Sequence, residues 1–277
     1  DGKMYWSNWS GMSDIANFIQ VQRGLGSSKL AISSVGGTVN FVTKATDKKE
    51  GGFVSMGVAN SDYFKSTAAY NTGMNAKGFG MSIMMSHWQG DGYNQGTRGE
   101  GQNYFISFGY KPNDKHNFNF LITGAPQSHD QNFTKRISDY LKYGRKYNNN
   151  WGTLNGEYLS LRTNFYHKPI MSLNWDYKIH ETTKLSTVIY GSWGRGGGSN
   201  GAGAIRGNRF FADNLRKADG SIDIDLIQAY NSGETVLING VPQTRTQVGG
   251  AFQSSSSTSN NSTNGISKIS SINSHNW

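Results

Sequence analysis

The most enzyme-like feature of the sequence is a glycine-rich run. Residues 196–201 have the spacing G-x-G-x-x-G, which in dinucleotide-binding proteins lets the backbone approach a pyrophosphate. Asp219 and Asp223 follow near the distance of a ribose-binding carboxylate. However, residues 202–209 lack an amphipathic helical pattern, and no alternating strand and helix pattern surrounds the run. We therefore predict a flexible glycine-rich loop here, and no nucleotide site.

Other residues that could carry out chemistry are scattered along the chain. The 6 histidines have no spacing that predicts a zinc site, and the absence of cysteine removes disulfides and thiol catalysis. Neither a G-x-S-x-G motif nor a pair of carboxylates suited to acid–base catalysis occurs. The sequence therefore predicts no enzyme, no metal site and no cofactor, so its function should lie in binding.

The composition favours short strands and anionic partners. The 277 residues include 36 glycines and 13% aromatic residues, but only 16% are charged. The net charge of +9 favours nucleic acid, acidic lipid or lipopolysaccharide as a partner. Because the basic residues form no recognisable nucleic-acid motif, we predict no nucleic-acid partner. No run of about 18 apolar residues predicts a membrane helix, but barrel strands cross a membrane without one.

Seven segments alternate apolar and polar residues with the period of two that is typical of β-strands. They are residues 52–60, 62–73, 78–88, 102–110, 116–124, 170–177 and 184–193. In the third of these, for example, Phe79, Met81 and Ile83 fall on one face. Such alternation predicts an antiparallel sheet with one apolar face.

The connections between these segments differ in length at the two ends of the sheet. Short turns follow the second, fourth and sixth segments, near Met74, Pro112 and Lys178. The other connections are long, except for the hairpin at residues 60–62. We predict that the three short turns lie at the same end as Lys44, opposite residues 89–101. Connections that are short at one end of the sheet and long at the other, together with aromatic residues near the strand ends, are typical of outer-membrane barrels.

The region before the first strand resembles the end of the plug domain of TonB-dependent outer-membrane receptors. It contains V-x-R-G at residues 21–24 and G-G-x-V-N-x-x-T-K at residues 36–44, and the first strand candidate begins where that pattern places it. The run at residues 5–10 resembles the apical stretch of Bacteroidetes-type receptors. The plug motif itself comprises Gly24, Gly36, Gly37 and Asn40.

The resemblance implies an all-β fold, a partial transmembrane antiparallel β-barrel preceded by the C-terminal part of a small α+β plug domain. Residues 1–48 would end the plug, and residues 49–277 would supply about seven of the twenty-two barrel strands, with long extracellular loops. We expect a fragment, because seven strands cannot close a bacterial barrel. Residues 195–276 look like a long loop rich in glycine, serine and asparagine, and residues 266–277 make a poor strand.

The resemblance also implies a function. The expected activity is uptake of a scarce nutrient across the outer membrane of a Gram-negative bacterium, driven by the TonB-ExbB-ExbD motor complex, with a ferric siderophore or other iron chelate as the first candidate. One alternative is a receptor for glycans or another nutrient that works with a surface lipoprotein. A second is a β-rich surface adhesin without transport. Outer-membrane lipid and lipopolysaccharide would be further partners.

Specific residues follow from the same resemblance. Arg23 is the predicted lock between plug and barrel wall, because a buried guanidinium needs a carboxylate partner. Aromatic and arginine side chains suit a large, partly anionic ligand through stacking and charge-assisted hydrogen bonds. The expected ligand-facing residues are Trp6 and Trp9 at the plug apex and Tyr93, Arg98, Tyr143, Arg145 and Trp151 in the outer loops.

Overall fold

The computed structural model describes residues 6–24, 35–253 and 257–276; Tyr5 and residues 25–34 of the plug-like region lie outside them. The strands in chain order are β1 (Phe18–Arg23), β2 (Gly37–Val42), β3 (Gly51–Ala59), β4 (Tyr63–Met74), β5 (Phe79–Gly90), β6 (Gly99–Tyr110), β7 (His116–Gly124), β8 (Gln127–Asp130), β9 (Trp151–Leu154), β10 (Glu157–Ser160), β11 (Thr163–His167), β12 (Ile170–Lys178), β13 (Lys184–Gly203), β14 (Ile222–Asp223), β15 (Val236–Ile238), β16 (Val241–Gln243) and β17 (Ile266–Asn276). The α-helices are α1 (Met12–Ile15), α2 (Ile137–Tyr143) and α3 (Ile224–Asn231). Short 3-10 helices cover Trp6–Trp9, Ala45–Asp47 and Asp213–Leu215.

One antiparallel sheet dominates the fold. Its main strands follow in the order β3-β4-β5-β6-β7-β12-β13, and β17 also pairs with β13. All seven predicted strands are present, because the alternation of their residues matches a sheet with two different faces. The largest difference is at β13, which continues to Gly203 instead of ending at Trp193. The ends of the other strands lie within about three residues of the prediction.

Two prolines interrupt strands that otherwise run on. β8 pairs with β6, and β11 pairs with β8 and β13, so these two short strands continue the rows of β7 and β12. Pro126 lies between β7 and β8, and Pro169 lies between β11 and β12. Because proline has no N–H to donate to a neighbouring strand, each ladder breaks there and resumes afterwards.

The three short turns lie at one end of the sheet, as predicted. The Lys111 backbone N–H donates to the Gly78 carbonyl at 2.7 Å, and that of Lys178 donates to Lys115 at 2.8 Å, so neighbouring turns touch. Lys44 lies at the same end, since its Nζ is 2.8 Å from Asp176 Oδ2 near the end of β12. Each strand leads away from these turns, which places residues 89–101 at the opposite end.

The two faces of the sheet differ in chemistry. One face carries small and polar side chains that are buried, and these are Thr67, Ser82, Ser86, Asn103, Ser107, Asn119 and Thr123. We call it the covered face, because α1 and the 3-10 helix Ala45–Asp47 of the N-terminal segment (residues 6–24 and 35–47) lie against it. On this face Met84 and Phe105 pack against Met12 and Ile15 of α1. The N-terminal segment is therefore held by a small apolar cluster on an otherwise polar wall.

The opposite face is apolar and exposed. Val54, Met56 and Val58 of β3 are 75%, 77% and 83% exposed. Met85 and Ile189 on other strands are also largely exposed. An apolar patch of this kind marks a surface that contacts something other than water. None of the helices in the described residues is long and apolar enough to cross a membrane.

A folded cap stands at the end of the sheet opposite the short turns. It comprises residues 131–162 and 204–265, which meet where β14 pairs in parallel with β9. Gly152 makes this pairing possible, since a Cβ there would lie 2.1 Å from the Ile222 carbonyl oxygen. The buried side chains around this pairing are Leu161, Ile205, Phe210, Leu215, Ile222, Ile224, Ile227, Tyr230, Ile238 and Ile266. The prediction of one long loop over residues 195–276 is therefore wrong.

The glycine run also differs from the prediction. Residues 196–201 lie inside β13, where β11 pairs on one side and β17 on the other. A Cβ at Gly197 would lie 1.9 Å from the Ser271 carbonyl oxygen, and one at Gly201 would lie 2.3 Å from the Phe210 ring. The glycines thus permit close packing of backbone and aromatic rings, and residues 266–276, predicted to be a poor strand, form β17.

Candidate ligand-binding site

Three of the predicted ligand-facing residues line one cavity. Tyr93, Arg98 and Trp151 surround a space of about 310 Å³ between the β5–β6 connection and the cap, together with Lys146 and Tyr158. We call this the aromatic pocket. Sequence reasoning missed the last two residues, although both types match the aromatic and cationic pattern that identified the others.

Stacked rings and cations give the aromatic pocket its chemistry. The rings of Trp151 and Tyr158 stack with centroids 5.6 Å apart, and Arg98 Cζ lies 4.1 Å from the Tyr158 centroid. Lys146 Nζ lies 5.5 Å from the centroid of Tyr93. Trp151 Nε1 is buried and has no hydrogen-bond partner among the described residues. The pocket therefore offers aromatic surface and positive charge, while the Trp151 N–H itself is enclosed.

The local fold fixes these side chains. Trp151 starts β9, and Tyr158 lies on β10 opposite Thr153. Gly96 has a φ of +60°, and a Cβ there would lie 2.2 Å from Trp151, so glycine is required on both counts. The pocket is thus built from two elements far apart in sequence.

An acidic cavity of about 350 Å³ adjoins the aromatic pocket and shares Asp91 and Arg98 with it. Its other ionisable side chains are Asp62, Glu100, His129 and Asp130. Arg98 Nε is 3.3 Å from Asp91 Oδ1, so part of the negative charge is neutralised. Within the described ranges, no group of three or more histidine, aspartate or glutamate side chains is arranged to hold a metal ion.

Tyr158 is hydrogen-bonded to β8 of the main sheet. Its hydroxyl donates to Asp130 Oδ2 at 2.6 Å, and Thr163 Oγ1 donates to the other oxygen of the same carboxylate at 2.7 Å. Burial, followed by these interactions with Asp130, raises the pKa of Tyr158 far above the ordinary tyrosine value. Tyr158 therefore stays protonated and donating throughout the physiological range.

Replacing Tyr158 with phenylalanine should reduce the free energy of unfolding by about 1 kcal/mol at neutral pH, which is the usual net contribution of one such hydrogen bond. Because the pKa of Tyr158 is higher in the folded than in the unfolded protein, its contribution is complete below the unfolded value near 10 and is lost as the pH rises above it. Unfolding curves of both proteins at several pH values measure this. Curves whose difference does not shrink above pH ~10 would contradict the assignment.

A third cavity adjoins the tip of the N-terminal segment. This polar pocket, of about 350 Å³, is lined by Asn8, Asn164, Tyr166, Lys168, the glycines of β13, and Ser271 and Asn273 of β17. The tip is anchored beside it, since Gln127 Nε2 donates to the Ser7 carbonyl at 3.0 Å and the Tyr166 hydroxyl bonds to Ser7 Oγ. Asn8 Oδ1 is buried without a hydrogen-bond partner among the described residues.

The remaining predicted ligand-facing residues line none of these three cavities. Trp9 packs partly buried against the apolar cluster around Phe105, and Trp6 begins the first 3-10 helix. Tyr143 packs on Tyr147 with ring centroids 4.6 Å apart, while Arg145 is exposed. The sequence identified suitable residue types, but only the packing of the cap determines which of them meet.

Arg23 is exposed at the end of β1, and within the described part of the chain it forms no ion pair. Its role as a lock stays a prediction. Among the other motif residues, Gly24 and Gly37 have φ values of +72° and +121°, Gly36 is exposed, and Asn40 pairs with Gln20.

Two ion pairs join the N-terminal segment to the sheet, Lys65 with Asp14 and Lys44 with Asp176, both at 2.8 Å.

Comparisons with known proteins give a structural likeness only. No protein-family model matches the chain, and no curated protein matches it significantly. The siderophore receptor PiuA from Acinetobacter baumannii superposes with a TM-score of 0.52 at 13% identity, over 67% of this chain and 27% of that chain. The ferric citrate transporter FecA in its unliganded form gives 0.49 at 21% identity, over 66% of this chain and 29% of that one. The chain thus spans less than a third of either protein, and its antiparallel all-β fold, as predicted, is the one found in part of PiuA.

Proposed function

We propose that this chain belongs to a TonB-dependent receptor in the outer membrane of a Gram-negative bacterium and that its cargo is an iron chelate. The observation that carries the proposal is the packing of an N-terminal segment on the polar face of a sheet whose other face is apolar and exposed. This arrangement suits a barrel wall with a plug inside and lipid outside. The fold shared with a siderophore receptor supports it.

The dimensions of the sheet fit a membrane wall. β13 has 20 residues, whereas about 9–11 residues span a bilayer, so its cap-proximal part would project beyond the lipid. Near the short turns, His116, Trp175 and Tyr177 stack on the exposed face, with the His116 and Tyr177 centroids 4.5 Å apart. Aromatic side chains at that level suit the boundary between lipid and water.

In this proposal residues 1–48 are the end of the plug, and residues 49–277 are the first strands and outer loops of the barrel. The resemblance at residues 5–10 favours a Bacteroidetes-type receptor. The TonB-ExbB-ExbD complex would supply the driving force, and lipopolysaccharide would surround the outer rim. Arg23 would face a carboxylate of the barrel wall. No catalytic step is proposed.

The aromatic pocket is the proposed point of ligand contact. Arg98 and Lys146 supply positive charge, and Trp151 and Tyr158 supply stacked ring faces, which together suit an aromatic, partly anionic chelate. The same pocket carries the amides of Asn94 and Gln95 beside the rings. Ring faces and amides also suit a sugar, which keeps glycan uptake with a surface lipoprotein as the second candidate.

Uptake of radioactive iron by iron-starved cells tests the proposal. In cells that carry the whole protein, Trp151→Ala should lower the affinity for the ferric chelate about tenfold, the effect of losing an interfacial aromatic anchor. Trp193→Ala, on the exposed face of β13, is the matched control and should leave uptake unchanged. Uptake that persists without TonB would contradict the transport proposal, and growth on a glycan in place of iron uptake would favour the second candidate.

A further inference from the structure

Three cationic side chains lie around shared aromatic rings where the two segments of the cap join, and a fourth, the exposed Arg209, is near enough to repel one of them. Lys135 and Arg162 come from the first segment, and Arg209 and Arg216 come from the second. Lys135 Nζ and Arg216 Cζ lie 6.0 and 5.7 Å from the centroid of the same Tyr147 ring. Arg162 Cζ lies 4.8 Å from the ring of Phe133, whose carbonyl accepts from Lys135 Nζ at 2.7 Å. We call this group the cationic cluster.

Arg216 is the most buried member of the cationic cluster. Its side chain is only 6% exposed, and its Nε has no hydrogen-bond partner among the described residues. The nearest carboxylate, Asp213, lies 3.7 Å from that Nε and is itself 82% exposed, so it does not complete the pairing. The Nη2 of Arg216 donates to the Phe211 carbonyl, but among the described residues no carboxylate is hydrogen-bonded to this buried guanidinium, as buried charges normally require.

The cations act on one another. Burial, then repulsion from Arg216, lowers the pKa of Lys135 to about 8, although Asp139 offsets part of this effect; repulsion from Arg162 contributes a smaller decrease. Burial and repulsion from Arg209 likewise lower the pKa of Arg162. Four positive groups face two carboxylates, Asp139 and Asp213. The cluster therefore holds more positive charge than the chain around it neutralises.

The aromatic rings account for only part of this arrangement. Tyr147, Phe133 and Phe210 offer ring faces to the cations, which stabilises each charge modestly. Rings cannot accept the in-plane hydrogen bonds that a guanidinium donates, however. Within the described residues, Arg162 donates one side-chain hydrogen bond, from Nε to Asn200 at 2.9 Å. Donors on both arginines are thus left for another acceptor.

We propose that the cationic cluster binds a small oxyanion with at least two negative charges, of the phosphate or carboxylate class. Such an ion would accept hydrogen bonds from Arg162 and Arg216 and balance the charge of Lys135. It would also join the two segments of the cap, because each contributes two of the four cations. The proposal does not depend on which cargo, if any, the protein transports.

Calorimetric titration of the full chain in detergent, in Tris chloride buffer, tests this site with inorganic phosphate and with citrate. Sodium chloride at matched ionic strength separates specific binding from screening. Arg216→Gln and Arg162→Gln should each weaken binding at least tenfold, the expected loss for one charge-assisted pair. Lys142→Gln, a fully exposed cation on α2, should leave the affinity within about twofold.

A stability measurement separates binding from folding. Because Lys135 is a half-buried cation under repulsion, Lys135→Met should leave the melting temperature in oxyanion-free buffer unchanged or higher, yet abolish the rise caused by phosphate. This variant carries the test should Arg216→Gln fail to fold. No heat and no stabilisation with either anion, or equal losses in Lys142→Gln and the cluster variants, would overturn the proposal. Binding of lipid A micelles alone, lost in the same variants, would support a phosphate site filled from the membrane.

Discussion

Alanine in place of Gly197 is expected to separate β17 from β13 and to lower the free energy of unfolding by about 3 kcal/mol, the upper end of the usual penalty for overpacking. The new Cβ would lie 1.9 Å from the carbonyl oxygen of Ser271 and 2.9 Å from the ring of Phe165. The first obstacle is backbone on a paired strand, which cannot move without breaking neighbouring hydrogen bonds. The Gly197→Ala penalty should therefore exceed that of a clash with a flexible side chain.

Hydrogen exchange and chemical unfolding in detergent measure this effect. Amides of β17 should exchange faster in Gly197→Ala than in the parent protein, whereas those of β4 and β5 should not. Gly57→Ala is the matched control, because Gly57 also lies in a strand but has no atom within 4 Å of the added Cβ. If both variants were equally stable, the close approach of β13 and β17 would be refuted.

The main sheet was predictable because its signal is local. Alternation places every second residue on the same face, so Val54, Met56 and Val58 identify a strand without knowledge of its partner. Short turns then fix which strands are neighbours, and the sorting of turn lengths fixes their ends. Pro126 and Pro169 also indicate the two breaks in the hydrogen-bond ladder, although the residues of β8 and β11 beside them do not alternate clearly.

The cap was not predicted because its partners are distant in sequence. Asp223 looks like a ribose-binding residue in the glycine-run motif, but its carboxylate accepts from the Leu226 N–H at 3.1 Å and caps α3. Ile224, Ile227 and Tyr230, three residues apart, follow this cap and form the buried face of the helix. The apolar spacing of α3 could therefore have been recognised in the sequence. The pairing of β14 with β9 could not, because a strand of two residues carries too little pattern to identify its partner.

The candidate site, like the fold, could be predicted from the sequence only in part. Residue type alone singled out Tyr93, Arg98 and Trp151, and these three do meet. Lys146 joins them because its carbonyl accepts from the Gln95 N–H at 2.8 Å, which ties the β5–β6 connection to the cap. That bond depends on the folded cap, so no local pattern could assign Lys146 to the aromatic pocket or exclude Tyr143 from it.

Truncation of Phe105 to alanine is expected to lower the free energy of unfolding by about 3–5 kcal/mol, as for other fully buried aromatic residues. Phe105 is 0% exposed and packs with Met12 and Ile15, so its loss leaves a cavity between the sheet and the N-terminal segment. Lys48 Nζ, which lies 5.7 Å from the Phe105 centroid, also donates to the Ile15 carbonyl at 2.6 Å. Trypsin should therefore cleave next to Lys48 faster in Phe105→Ala.

Phe108→Ala is the matched control for this prediction. Phe108 lies on the same strand but on the exposed face, 37% exposed, so its truncation should lower the free energy of unfolding by about 1 kcal/mol and leave cleavage at Lys48 unchanged. Equal release of the N-terminal segment in both variants would contradict this account. The ion pairs of Lys65 and Lys44 are partly exposed, and such pairs contribute about 0–1 kcal/mol each. Apolar packing around Phe105 must therefore provide most of the attachment, and the ion pairs mainly set its position.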